Sequence, residues 1–152
     1  MRKVETPEGR SAPPPSVFDR FPMPPASKLL GWTLRGVDTA AGTIEIGFTA
    51  DERFTNPGGT VQGGFLAAML DDTQGPALFA ATDGQVYAPT IGFNIAFIKA
   101  ARPGAFVGKG RVVSLGKTIA FTEAELFDET GELVARATFS SRAMRDTTSG
   151  LV

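Results

Sequence analysis

Two acidic residues, Asp71 and Asp72, stand inside the most apolar stretch of this 152-residue chain, between Gly63-Gly64-Phe65-Leu66-Ala67-Ala68-Met69-Leu70 and Ala77-Leu78-Phe79-Ala80-Ala81. Burying a carboxylate without partners is costly, so an acid in such a place needs a duty. For Asp71 the duty reads as chemistry, either general base or nucleophile. Asp72 reads as a cap or solvating group for a helix kink at Gly75-Pro76. Upstream, Gln62-Gly63-Gly64 lies where a loop ends and the apolar stretch begins. Free N–H groups at a helix N-terminus, reinforced by its dipole, suit a developing oxyanion, and glycine lets a ligand carbonyl come close to the backbone.

What the chain lacks narrows the chemistry further. It has no cysteine, which removes thiol nucleophiles, disulfides and thiolate metal sites. It has no histidine either, which removes Ser-His-Asp triads, imidazole bases and His-ligated metals. Catalysis here must use carboxylates, hydroxyls, amides, lysine or the backbone, or a bound cofactor.

Geometry adds a constraint. Nine residues separate Gln62 from Asp71, which at 1.5 Å per residue is about 13–14 Å along one helix. A carboxylate and an oxyanion hole that serve one carbonyl must both lie within a few Å of it. Two antiparallel copies about a two-fold axis could place Asp71 of one helix opposite Gly63 of the other. An enzyme built on these residues is therefore expected to be a dimer with two interfacial sites.

The elements that must position these residues read as one α+β domain. Hydrophobic content is 42% and charged content 20%, ordinary values for a globular chain. Residues 1–26 form a Pro-rich arm, with Pro13-Pro14-Pro15 and Pro24-Pro25, expected to be mobile and to dock through Phe18, Phe21 and Met23. The domain is expected over 27–146 and a tail over 147–152. A short helical turn is expected near Ser27, then strands over about 30–38 and 42–50, the second alternating Ile44, Ile46 and Phe48 with Thr43, Glu45 and Gly47. The Ala/Leu/Met-rich stretch from Gly63 favours helix, apolar nearly all round and hence wrapped by protein, with a kink or break at Gly75-Pro76.

Four strands follow. Ile91, Phe93, Ile95 and Phe97 alternate with Thr90, Gly92, Asn94 and Ala96, and a segment near 104–115 turns at Leu115-Gly116-Lys117. Strand 118–127 carries Ile119, Phe121 and Phe127 on one parity; strand 132–144 puts Leu133, Ala135, Ala137 and Phe139 on one face. A long antiparallel sheet curled around one central helix satisfies this order.

Partner classes are bounded too. Net charge is −1 with no Lys/Arg run, which argues against nucleic acid. The N-terminus has no apolar core of a secretory signal and no window approaches eighteen apolar residues, so neither export nor membrane insertion is expected and a cytoplasmic location is the default. Gly116-Lys117-Thr118 is not a phosphate loop, because that motif's first glycine would fall at Arg111.

The stretch Asn56-Pro57-Gly58-Gly59-Thr60-Val61-Gln62-Gly63-Gly64, followed by Ala67-Ala68-Met69-Leu70-Asp71, resembles the hotdog-fold acyl-CoA thioesterases of the phenylacetate-pathway (PaaI-like) type. Thr90–Phe97, Leu115-Gly116-Lys117-Thr118 and Gly131-Glu132-Leu133-Val134-Ala135 resemble that family's later strands, so the likeness covers roughly residues 29–144. It implies a hotdog fold and hydrolysis of an acyl-CoA or other acyl thioester, with coenzyme A entering as part of the substrate and no metal or other cofactor. It further implies that Gly63 polarises the thioester carbonyl, that Asp71 activates water or attacks the carbonyl across a dimer, and that Asn56 positions thioester or water. Thr90 falls at a hydroxyl position that orients the water in some members. Gln62 departs from the pattern, since many members have His there, though its amide can still donate to the carbonyl. Gly64 and Lys117 are the expected substrate contacts. Arg111, Arg136 and Arg142 alternate near Lys117 and read chiefly as solvated strand faces. A homotetramer of dimers is the expected assembly. Two other readings are a non-catalytic acyl-CoA or lipid binder using the same pocket and hydratase chemistry on the same scaffold; the latter usually needs an Asp/His pair.

Overall fold

The structure, a computed structural model, describes residues 15–145; most of the expected Pro-rich arm and the expected tail lie outside them. Six strands, β1 (Thr33–Asp38), β2 (Thr43–Ala50), β3 (Thr90–Phe97), β4 (Gly104–Leu115), β5 (Ile119–Asp128) and β6 (Leu133–Arg142), form one sheet in the order β1-β2-β4-β5-β6-β3. Every neighbouring pair is antiparallel. A short helix, α1 (Pro25–Leu29), precedes the sheet, and the long helix α2 (Gly63–Ala81) lies against its concave face, touching all six strands. This is the hotdog arrangement. Among the described residues no helix is long and apolar enough to cross a membrane.

The expected break at Pro76 is absent: α2 runs unbroken for 19 residues with Pro76 inside it. The physical reason is local. Pro76 has no N–H to give the carbonyl of Asp72, four residues back, and that carbonyl instead accepts the indole Nε1–H of Trp32 at 3.2 Å. The orphaned acceptor is satisfied from β1's leading edge, so the helix continues.

β4 runs so close beneath α2 that glycine is required at two of its positions. A Cβ at Gly108 would collide with Thr73 Oγ1, and one at Gly110 would stand 3.0 Å from the carbonyl oxygen of Thr73. In β5 the parity of Ile119 and Phe121 is the outer one. Its inward parity is Ala120, Thr122, Ala124 and Leu126, all buried, while Ile119 and Phe121 point away from the helix and are exposed. In β6 Ala135, Ala137 and Phe139 do face the helix.

Residues 15–29 pack along the outside of α2. Phe18 meets Trp32 edge-on at 5.3 Å and Phe79 at 6.0 Å, Phe21 meets Phe79 at 5.4 Å, and Arg20 pairs with Asp83 at 2.6 Å. Met23 remains largely exposed.

Candidate active site

Asp71 sits near the middle of α2, on the side facing β3. Its Oδ1 accepts the Thr90 hydroxyl at 2.7 Å and the Gln74 amide Nε2 at 3.0 Å. Gln74 Nε2 also donates to Thr90 Oγ1 at 3.2 Å, and Gln74 Oε1 accepts the Thr122 hydroxyl at 2.6 Å. Oδ2 of Asp71 has no partner among the described residues, and the residue is exposed in the single chain.

Thr90 reaches Asp71 through a bulge. Simple alternation puts Thr90 on the opposite face from Phe93. The β3–β6 register slips between Thr90 and Gly92, so Thr90 pairs with Ser141 and Phe93 with Phe139, both inward positions. Ile91 takes the extra place and is exposed. Bulges of this kind re-aim a side chain, here onto the carboxylate.

Asp72 faces the other way. The buried hydroxyl of Ser27 in α1 donates to its Oδ2 at 2.8 Å. Burial pushes the Asp72 carboxyl up to about 6; the Ser27 hydrogen bond opposes the rise and the charge of Asp71 adds to it. Asp72 therefore does not serve a kink at Gly75-Pro76. It ties α1 to α2.

At the start of α2, Gln62 is the N-cap residue in an extended conformation (φ −57°, ψ 134°), exposed, and its side chain makes no capping bond. Among the described residues no protein acceptor faces the N–H of Gly63 or of Gly64. These are the free donors an oxyanion would use. The Phe97 ring lies across Gly63, so near that a Cβ there would stand 3.0 Å from its Cζ. A cleft of about 330 Å³ opens here, bordered by Gly63, Asn56, Thr60, Leu66, Phe97 and Lys99.

Asn56 borders that cleft, but its side chain shapes its own loop. Oδ1 accepts the N–H of Gly58 (2.9 Å) and of Thr60 (3.2 Å), and Nδ2 donates to Thr60 Oγ1 (2.8 Å). Lys99 is the cation at this cleft, held by Asp128 at 3.7 Å and by Glu132. Lys117 is elsewhere: its turn lies at the Thr90 end of the sheet, where Ala143 donates to the Thr118 carbonyl and Arg142 to that of Pro89. A larger cleft of about 480 Å³ lies on the sheet's outer face among Asp38, Glu45, Lys109, Arg111 and Glu125. It mixes both charge signs, with Arg111 donating to Glu123 at 2.9 Å, and borders neither Asp71 nor Gly63.

One chain thus brings Asp71, Thr90, Gln74 and Thr122 together at one place, and Gly63, Gly64, Gln62 and Asn56 at another. Eight residues of continuous helix separate Gly63 from Asp71, about 12 Å. The sequence reading omitted Gln74, Thr122 and Phe97. A polar residue three places after Asp71 in an otherwise apolar helix was the available signal, because positions i and i+3 share a face.

Comparison with known proteins bears on what this arrangement does. The sequence profile described as the thioesterase superfamily matches residues 58–135. Human acyl-coenzyme A thioesterase 13 is 33% identical over 104 residues, covering 66% of this chain and 72% of the relative. The structure of a phenylacetic acid degradation-related protein from Ralstonia eutropha JMP134 superposes with a TM-score of 0.78 at 33% identity, over 83% of this chain and 95% of that one. The PaaI protein of the E. coli phenylacetic acid degradation operon shares the fold, with a TM-score of 0.67 at 19% identity over 78% and 83% of the two chains.

Proposed function

Because this chain belongs to the thioesterase superfamily and is a thioester hydrolase, we propose that it cleaves an acyl-coenzyme A to the free acid and the thiol, at a site that two copies assemble across β3. The observation that carries this reading is how β3 links the two half-sites. Thr90, at its beginning, holds Asp71; Phe97, at its end, lies on Gly63. β3 is one of the two terminal strands of the sheet, paired among the described residues only with β6, and it exposes Ile91, Phe93 and Phe97. An uncovered apolar edge of this kind calls for a partner. Antiparallel pairing of two β3 strands about a two-fold axis sets the Thr90 end of one against the Phe97 end of the other. Asp71 of each copy then faces Gly63 of its partner.

At such a site the thioester carbonyl oxygen accepts the Gly63 N–H, with the Gly64 N–H beside it. Asp71 Oδ2, the oxygen left free, is the base that activates water or is itself the nucleophile; both routes use the same atom. In the first, water adds to the carbonyl carbon as its proton passes to Asp71, and the tetrahedral intermediate expels the thiolate, which takes the proton back. Gln62 has an uncommitted amide at the helix start that can donate to the same carbonyl. Asn56 acts through the loop it closes. Lys117 serves the phosphates of coenzyme A from the Thr90 end of the partner's sheet. Pairs of dimers join into a tetramer through the outer sheet face, where Ile119 and Phe121 are exposed.

The test is free-thiol release from short, medium, long and aromatic acyl-CoAs, for the wild type beside Asp71→Ala. The proposal expects turnover that falls about 10²–10⁴-fold in the variant. Binding without release from any substrate would refute it.

A further inference from the structure

Gln74 is 1% exposed, on the side of α2 that faces the sheet, where Leu or Ala would be the inexpensive choice. Burying an amide costs free energy unless both its ends are bonded, and here both are. Thr122, itself 2% exposed, donates to Oε1, which fixes the orientation of the amide and turns Nε2 towards Asp71 and Thr90. Nε2 donates to a pair of acceptors that lie side by side. They are Asp71 Oδ1 at 3.0 Å and the oxygen of the Thr90 hydroxyl at 3.2 Å, which itself donates to that same Oδ1.

We infer that Gln74, locked by Thr122, is a positioning residue for the hydrolysis: it clamps Oδ1 of Asp71 so that Oδ2 is presented in one fixed direction to the thioester and water. Asp71 is exposed in the single chain and has two side-chain torsions to restrain. Thr90 alone gives it one bond; the Gln74 amide closes a three-membered ring of contacts among Asp71, Thr90 and Gln74, anchored to β5 by Thr122. An attacking or proton-accepting oxygen must be placed within a fraction of an ångström, and loose placement lowers the rate without weakening substrate binding. The inference rests on the hydrolase reading above and gives Gln74 and Thr122 roles of their own in it.

The test compares kcat and KM for the wild type, Gln74→Met, Thr122→Val and Thr122→Ser, each corrected for folded fraction, with Asp71→Ala as the inactive reference. Gln74→Met fills the same volume but has no donor. It is expected to lower kcat about 10–100-fold with KM within about twofold. Thr122→Val frees the amide to turn and is expected to lower kcat about 3–10-fold, whereas Thr122→Ser restores the donor and the rate. If Gln74→Met does not fold, the Val and Ser pair at position 122 carries the same comparison. Folded variants that keep the wild-type kcat while Asp71→Ala is inactive would overturn the positioning role and leave the hydrolase reading intact. Wild type without turnover on any substrate would overturn both.

Discussion

The continuity of α2 depends on a partnership between Trp32 and Pro76 that can be measured. Pro76 leaves the Asp72 carbonyl without its helical donor, and the Trp32 indole supplies one at 3.2 Å. Trp32→Phe removes that donor, and because Trp32 is 9% exposed water is poorly placed to replace it. The cost of leaving a buried acceptor unmade is about 1–3 kcal/mol, added to the lost packing of the larger ring. Pro76→Ala returns an N–H to the same carbonyl. In the Pro76→Ala background, Trp32→Phe should then lose only its packing contribution. The double-mutant cycle should show a coupling of about 1–2 kcal/mol. The assay is urea unfolding of the four proteins at one fixed concentration, since association contributes to apparent stability. Additivity within about 0.5 kcal/mol would refute the idea that Trp32 replaces the missing helix bond.

Three further outcomes follow from the packing and the charges. Asp72 is raised from 3.8 to about 6, so between those values the folded state holds a proton that the unfolded chain has lost. Its contribution to stability therefore falls as pH rises through that window, and Asp72→Asn, which keeps an acceptor for Ser27, should be more stable than wild type by on the order of 1–3 kcal/mol at pH 8 and show little advantage at pH 4. An equal difference at both pH values in denaturation midpoints would contradict this. Gly110→Ala should destabilise by about 1–3 kcal/mol, because the new Cβ meets backbone, the Thr73 carbonyl, which no side-chain rearrangement relieves; an unchanged unfolding midpoint would count against the close helix–sheet approach. Phe121→Lys should convert the proposed tetramer to dimers by light scattering while leaving thiol release per chain largely unchanged, and a persistent tetramer would remove the outer sheet face from the assembly.

The parts of the molecule legible in the sequence were those fixed by local pattern. The alternation of Ile44, Ile46 and Phe48 places them inward on β2, as found, and the Ala/Leu/Met run from Gly63 is helical. The distance from Gly63 to Asp71 follows from helix geometry alone. Tertiary packing decided the rest. Alternation misplaces Thr90 because one bulged residue, Ile91, reverses the parity before it. On β5 it separates two parities without telling which one meets the helix, and Ile119 and Phe121 belong to the outer one. Pro76 reads as a break because the donor that rescues it, Trp32, is 40 residues along the chain from the Asp72 carbonyl it bonds. Gln74 is a plain amide until Thr122 and Asp71 are seen at its two ends.

The central claim, a site shared between two chains, is tested most directly by complementation. Gln62 already has the extended backbone that precedes a proline, and proline is well tolerated at a helix's first position, so Gly63→Pro removes the N–H while keeping the helix start, with the tip of the exposed Phe97 ring turning aside for the new Cβ. Asp71→Ala and Gly63→Pro chains, differently tagged and each inactive alone, should form a mixed dimer in which one of the two sites has both an intact Asp71 and an intact Gly63. The account predicts about half the wild-type rate per dimer from the mixed species. A mixed dimer as inactive as its two parents would contradict it.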